Sequence, residues 1–203
     1  MMSVLKEAIR ATLIERRARL TDVAYQEKST AIVERMKSLP ELQAAAIVHS
    51  YWPVIPRHEV DVRPLLYFLH AQKKQIVLPV VVNFGVASDG SERLRHVPFE
   101  SEDRLVVNRW GIHEPIGTQT VPIEKIDAVI VPALGAGRNG HRIGHGFGYY
   151  DEFLRRMTVP TLCPIFDECL VDVVPEEEHD VPVSVIITDK EVYRPDKCVT
   201  SAS

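Results

Sequence analysis

Five short apolar runs limit how this chain can fold: AAIV, QIVLPVVV, DAVIVPAL, LCPIF and SVIIT, in that order from about residue 44 onward. Runs of this length, apolar at successive positions, suit strands buried on both faces, and their alternation with helical patterns is that of a mostly parallel sheet covered by helices. Between the first two runs, Val62, Leu65, Leu66 and Leu69 repeat at the i, i+3, i+4, i+7 spacing of a helix that Asp61 is expected to cap. That is a βαβ unit.

Two helices are expected ahead of the sheet. In the first, Leu5, Ala8, Ile9, Thr12 and Leu13 form an apolar stripe and leave Lys6, Arg10 and Arg17 on the opposite side. The second follows Thr21 as cap and carries Ile32, Val33 and Met36, after which Pro40 closes the helical region. Beyond Val82, the segment NFGVASDGSERLRHV has turn residues between short alternating runs and is expected to form a small hairpin at the sheet edge. No repeat or low-complexity stretch interrupts the chain. The expected organisation is α/β, a single domain over residues 1–196 with a mostly parallel sheet flanked by helices, followed by a loose tail at 197–203.

Composition narrows the function classes. At 203 residues the chain is long enough for one buried core, and its formal charge of -4 argues against a general nucleic-acid binder, which needs a strong positive field. Cys163, Cys169 and Cys198 are odd in number and match no zinc spacing, so they read as reduced thiols without a chemical role. The longest apolar stretch, 76–82, is interrupted by Pro79 and falls far short of the roughly 20 residues of a membrane-spanning helix. Glu7 and Glu15 among the N-terminal basic residues disfavour a signal or transit peptide, so the cytoplasm is the expected location.

The chemistry is concentrated after the third run. Gly135, Gly137, Gly140, Gly144, Gly146 and Gly148 are six of the chain's ten glycines. Ligands in open α/β sheets bind beyond the carboxyl ends of strands, and successive amides in a glycine-rich turn form a concavity for anions. Tyr150, Phe153, Leu154 and Met157 mark a helix starting near Tyr149, whose N-terminus faces that loop, and Arg142 adds a fixed charge. The segment RIGHGFGYYD therefore reads as a phosphate-handling loop. Asp151 in the first helical turn is a magnesium candidate, because a carboxylate beside a polyphosphate is repelled unless a cation lies between them. Walker A fails, since no Gly-Lys-Ser/Thr follows the glycines. Gly135 to Gly140 does match G-x-G-x-x-G, but the helix starts some ten residues too late and no acidic residue follows about 20 residues on, which disfavours a dinucleotide site.

The stretch VPALGAGRNGHRIGHGFGYYDEFL strongly resembles the signature of the 5-formyltetrahydrofolate cyclo-ligase family. Lys6-x-x-x-Arg10, PRHEVDVRPLL, Trp110-Gly111-Ile112 before Glu114-Pro115, and HDVPV extend the resemblance over nearly the whole chain. One departure stands out. Where members commonly read G-L-A-F-D before the glycine loop, this chain has Ala136 and Gly137 in place of the aromatic and the acid, which predicts a smaller, more flexible loop.

The resemblance implies a layered α/β fold of the NagB, RpiA and CoA-transferase kind. It also implies an enzyme that uses ATP and magnesium to convert 5-formyltetrahydrofolate to 5,10-methenyltetrahydrofolate with release of ADP and phosphate. In that mechanism the formyl oxygen attacks the γ-phosphate and N10 then closes the ring. Carried over by motif, Lys6 and Arg142 are the catalytic cations. ATP contacts fall to Lys6, Arg10, Arg142, Ile143, Gly144, His145, Gly146, Phe147, Gly148, Tyr149 and Tyr150. Folate contacts fall to Val54, Glu59, Trp110, His145, Gly146, Phe147, Gly148 and Tyr149, and magnesium to Asp151 and Asp180. The partners implied are these small molecules alone, with no nucleic acid and no membrane, and the protein is expected to be a monomer. A non-catalytic folate- or nucleotide-binding paralogue is the alternative, motivated by Ala136 and Gly137.

Overall fold

The computed structural model describes residues 2–82 and 93–195. Its helices are α1 (Met2–Ala18), α2 (Asp22–Lys37), α3 (Pro40–Ala44), α4 (Arg63–Ala71) and α5 (Tyr149–Leu154). Its strands are β1 (Ile47–His49), β2 (Gln75–Val81), β3 (Leu94–Pro98), β4 (Leu105–Val107), β5 (His113–Pro115), β6 (Ala128–Ile130), β7 (Gly135–Gly137), β8 (Arg142–Ile143), β9 (Thr161–Pro164), β10 (Leu170–Val171), β11 (Val185–Ile187) and β12 (Val192–Tyr193).

Each apolar run supplies one strand of the main sheet, ordered β12-β11-β9-β6-β1-β2-β3. The five central strands are parallel, and β3 and β12 pair antiparallel at the edges. This is one α/β domain with a mainly parallel sheet flanked by helices. The runs are continuous because both faces are covered: Ile76 and Leu78 join a core with Leu65, Leu66, Leu69, Ile32 and Met36, while Val77 turns to a second core with Val129, Phe153 and Leu154. Burying each such side chain contributes about 1.5–3 kcal/mol, and a strand residue facing either way receives it.

The helix ends partly follow the sequence reading. Thr21 caps α2, its hydroxyl accepting from Ala24 N at 3.2 Å. Asp61 accepts from the Arg63 amide at 3.1 Å, although the cap position itself is Val62. Pro40 does not close the helical region; it opens α3, because a first-turn residue needs no amide donor and proline's fixed φ suits it. The expected hairpin falls largely on residues 83–92, outside those described, as does the tail. What is described is β3, whose Leu94 pairs with Val81 of β2.

The larger correction concerns α1. Leu5 is 52% exposed and Ala8 and Thr12 are exposed, while Lys6, Leu13 and Arg17 are buried. The cationic face is turned inward, because each charge finds a partner there. Lys6 meets Asp180 and Glu177, Arg10 Nε donates to Gly144 O at 2.9 Å, and Arg17 donates to the carbonyls of Arg57 and His58 at 2.6 and 3.0 Å. Buried charges are tolerated when paired and hydrogen-bonded, and hydrophobic periodicity alone does not detect such a face.

Candidate active site at the switch point of the sheet

From β1 the chain moves to β2 on one side, whereas β6 lies on the other, so the strand order reverses between β1 and β6. Open parallel sheets bind ligands at such a point, beyond the strands' carboxyl ends. The segment after β1 carries Val54 and Glu59, and the segment after β6 carries the glycine loop.

The first segment bends through a 3-10 turn at Ile55–Arg57 and ends on His58 in the left-handed region, φ 49°. A side chain there costs about 1–2 kcal/mol, so the turn needs outside support. Arg17 grips two of its carbonyls, and the Tyr25 ring stacks on His58 at 5.0 Å while its hydroxyl donates to Glu59 O at 2.8 Å. Burial, with the Asp61 charge, pushes the Tyr25 hydroxyl up to about 12, so it remains a donor. The result fixes Glu59, whose carboxylate accepts from Val54 N at 2.9 Å and lies 3.6 Å from His145 Nε2 on the glycine loop. Arg57 Nη2 donates to Trp110 O at 2.9 Å. Val54, Glu59, Trp110 and His145 are thus linked through direct contacts and one turn.

The glycine loop hangs from a second, three-stranded sheet, β10-β7-β8. Here the expectation of a flexible stretch at Ala136 and Gly137 is corrected: both belong to β7, which is buried and paired on both sides. The space beside Gly137 is taken by Asn139, which exchanges hydrogen bonds with Val174 O and N at 3.0 and 3.2 Å. The G-x-G-x-x-G match likewise begins in a strand rather than at a helix start. Helix α5 starts at Tyr149 as expected but has only six residues and no side-chain cap, so its dipole is slight. Positive charge at the loop comes instead from side chains.

Two carboxylate–cation contacts dominate. Arg142 Nη1 donates to Asp151 Oδ1 at 2.8 Å, with the Arg142 side chain only 5% exposed. Lys6 Nζ meets Asp180 and lies 2.8 Å from Glu177. Burial pulls the Lys6 ammonium down, but its bonds to Asp180 and Glu177 outweigh this and hold it above the ordinary lysine range. Burial pushes Asp180 up, and the bonds from Lys6 and the Glu177 amide reverse that, holding it below the ordinary carboxylate range. The two contacts adjoin, since Val181 N donates to Asp151 at 3.3 Å. Glu177, His179 and Asp180 also bring possible metal-ligand atoms within 4.8 Å of one another, whereas Glu176 and Glu178 of the acidic run are exposed.

Other loop residues divide by environment. Phe147 is 66% exposed, Gly144 faces open space where a Cβ would sit, and Gly146 and Gly148 have φ of +89° and +72°. The Ile143 side chain is core, leaving only its backbone to a ligand. Tyr150 points its hydroxyl inward, without a hydrogen-bond partner among the described residues, and burial raises its pKa. Its ring stands 6.0 Å from that of His49, a fully buried histidine that burial and His96 hold well below the usual range. Sequence reasoning missed Arg17 and Arg93. Arg17 lay in plain view on the stripe Lys6, Arg10, Arg17, but Arg93 sits among turn residues with no pattern to mark it.

Fold and site together define an α/β protein with a glycine-rich loop at the switch point of a parallel sheet and carboxylates and cations paired around it. The chain belongs to the 5-formyltetrahydrofolate cyclo-ligase family, whose sequence model matches residues 2–189. It is 29% identical over 184 residues to the 5-formyltetrahydrofolate cyclo-ligase of Escherichia coli K12, covering 88% of this chain and 97% of that one. The NMR structure of Aquifex aeolicus 5,10-methenyltetrahydrofolate synthetase superposes with a TM-score of 0.80 at 28% identity, covering 95% of this chain and 93% of that one. The 5,10-methenyltetrahydrofolate synthetase of Mycoplasma pneumoniae, at 22% identity, shares the fold with a TM-score of 0.70 over 91% of this chain and 98% of its own.

Proposed function

We propose that this protein uses ATP to close 5-formyltetrahydrofolate into 5,10-methenyltetrahydrofolate, releasing ADP and phosphate. The observation that carries the reading is the junction of Lys6 with Asp180 and Arg142 with Asp151 beside the glycine loop. Transfer of a γ-phosphoryl group to the formyl oxygen needs positioning and charge neutralisation rather than a protein nucleophile, and this junction offers both.

In this reading Lys6, Arg10 and Arg142, with the backbone of residues 143–150, receive the phosphates. Val54, Glu59, Trp110, His145 and the exposed side of the loop around Phe147 and Tyr149 receive the folate. Glu59 suits a pterin edge, which presents several N–H donors. N10 attacks the activated formyl carbon, and phosphate departs with the former formyl oxygen.

Asp151 and Asp180 fit magnesium as hard oxygen donors, and the metal would supply charge neutralisation at the β- and γ-phosphates. Each carboxylate is paired with a cationic side chain. With a polyphosphate bound, Lys6 and Arg142 could pass to the phosphates, leaving Asp151 and Asp180 as the residues that would hold the magnesium neutralising them. The same reading makes the protein a cytoplasmic monomer without a nucleic-acid partner, and no helix among the described residues is long and apolar enough to cross a membrane.

The test is turnover: purified protein with ATP, magnesium and 5-formyltetrahydrofolate develops methenyl absorbance near the blue end of the visible spectrum. Folate binding without any absorbance change would support the non-catalytic paralogue instead.

A further inference from the structure

Arg93 reaches the glycine loop from the edge of the main sheet. Its backbone is tied into that edge, since its carbonyl accepts from Val82 N at 3.0 Å. Its side chain meets three groups on the far side. Nη2 donates to the Phe147 carbonyl at 2.9 Å, Nη1 lies 3.3 Å from Glu152 Oε2, and the guanidinium carbon sits 4.0 Å from the centroid of the Tyr149 ring. Arg93 is only 8% exposed. Enclosing a guanidinium carries a desolvation cost, and Arg93 recovers part of it through Nη1 and Nη2, while its Nε lies buried without a hydrogen-bond partner among the described residues.

Peptide geometry says what that hold achieves. No described peptide bond is cis, and in a trans peptide the C=O and N–H point in opposite directions. With the Phe147 carbonyl on Arg93, the Gly148 N–H is turned away from the guanidinium. On the other flank Arg10 takes the Gly144 carbonyl at 2.9 Å, which turns the His145 N–H away from Arg10. Gly146 between these two fixed peptides and Gly148 just after the second adopt positive φ, a region glycine enters and leaves without steric penalty. The loop's own side chains therefore impose little order, and its conformation depends on the arginines gripping it.

We propose that Arg93 is a positioning residue for nucleotide turnover: it fixes the peptide between Phe147 and Gly148 and the first turn of α5, so that the loop meets the phosphates already ordered. This rests on the reading of the loop as the ATP phosphate cradle. Ordering the loop beforehand removes an entropic cost that binding would otherwise bear.

Wild type, Arg93→Lys and Arg93→Met are compared by two measurements. In steady-state assays the Met variant raises KM for ATP about tenfold, the scale of losing one hydrogen bond to a charged group. Its KM for the folate rises by less, because in this reading that substrate meets the loop only around Phe147 and Tyr149 and is also held by Val54, Glu59 and Trp110, and the Lys variant recovers part of the loss. Without nucleotide, amide hydrogen exchange over residues 144–149 speeds up about tenfold in the Met variant, while β1 and β6 keep wild-type protection. Should the Met variant not fold, Glu152→Gln loosens the same anchor and shifts both readouts in the same direction by less. Unchanged loop exchange overturns the proposal, and so does faster exchange with an unchanged KM for ATP. An inactive wild type whose loop exchange still depends on Arg93 overturns the ATP reading and leaves the hold on the loop standing.

Discussion

The guanidinium of Arg142 on β8 donates to Asp151 on α5 at 2.8 Å, joining the strand before the glycine loop to the helix after it. The loop between them is closed at its base by this one contact. A ligand that drew Arg142 forward would leave Asp151 with only the bond from Val181 N, so the proposed anion and metal sites would be coupled through this pair.

Asp151→Asn tests that coupling. The amide keeps the shape and can still accept from Val181 N, but it loses the charge that a metal needs. Turnover at limiting magnesium is expected to fall by more than about tenfold and to recover in part with excess magnesium. Arg142 is left enclosed beside a neutral group, and urea denaturation should show a loss of about 1–3 kcal/mol. Wild-type activity at limiting magnesium would remove Asp151 from the site.

The contact between Lys6 and Asp180 makes stability depend on pH in a defined direction. Asp180 is held below its ordinary range, so its contribution is complete above about pH 4 and is lost as pH falls through the lowered value. Lys6 is held above its range, so its contribution is complete below about pH 10 and is lost as pH rises through the raised value. The urea midpoints of wild type and Lys6→Met should therefore differ by a constant amount between about pH 5 and 9 and converge in acid. A difference that grows below pH 4 would contradict this pairing.

Gly137 is packed where no side chain fits. A Cβ there would lie 2.2 Å from Asn139 Oδ1 and 2.6 Å from Val174 N. Gly137→Ala is expected to cost about 2–3 kcal/mol by overpacking, and Gly137→Asp more. Shortening Asn139 as well should recover only part, because the Val174 backbone nitrogen would still lie 2.6 Å from the added carbon. An alanine variant as stable as wild type would mean that β7 is not held as described.

Burial pushes the Cys163 thiol up to about 12 and the Cys169 thiol to about 11, and only the thiolate is nucleophilic. Both should resist iodoacetamide at pH 8 in the folded protein and react once it is denatured. Mass spectrometry of the two peptides checks this, and rapid labelling of native Cys163 would show that the second core opens.

The main sheet was legible because its signal is local. Each apolar run carries its own strand pattern, and Val62, Leu65, Leu66 and Leu69 face one core just as their spacing predicts. The glycine loop and the start of α5 were legible for the same reason. The orientation of α1 was not: Leu5 and Leu13 belong to one apolar stripe in sequence, yet only Leu13 is buried. The partners that make Lys6 and Arg17 the inward face stand 171 and 40 residues away.

Sequence alone determined the succession of main-sheet strands along the chain, the glycine-rich loop after β6, the family resemblance and, through that resemblance, the set of candidate residues. These follow from periodicity, backbone permissiveness and motif spacing, which act over a few residues. Only the tertiary structure decided that Ala136 and Gly137 form a buried strand rather than a loose loop, that Tyr150 turns its hydroxyl inward, and that Arg93 and Arg17 brace the site. Whether a charge faces water or the interior depends on which opposite charges and carbonyls the fold delivers to it, and that information is spread across the whole chain.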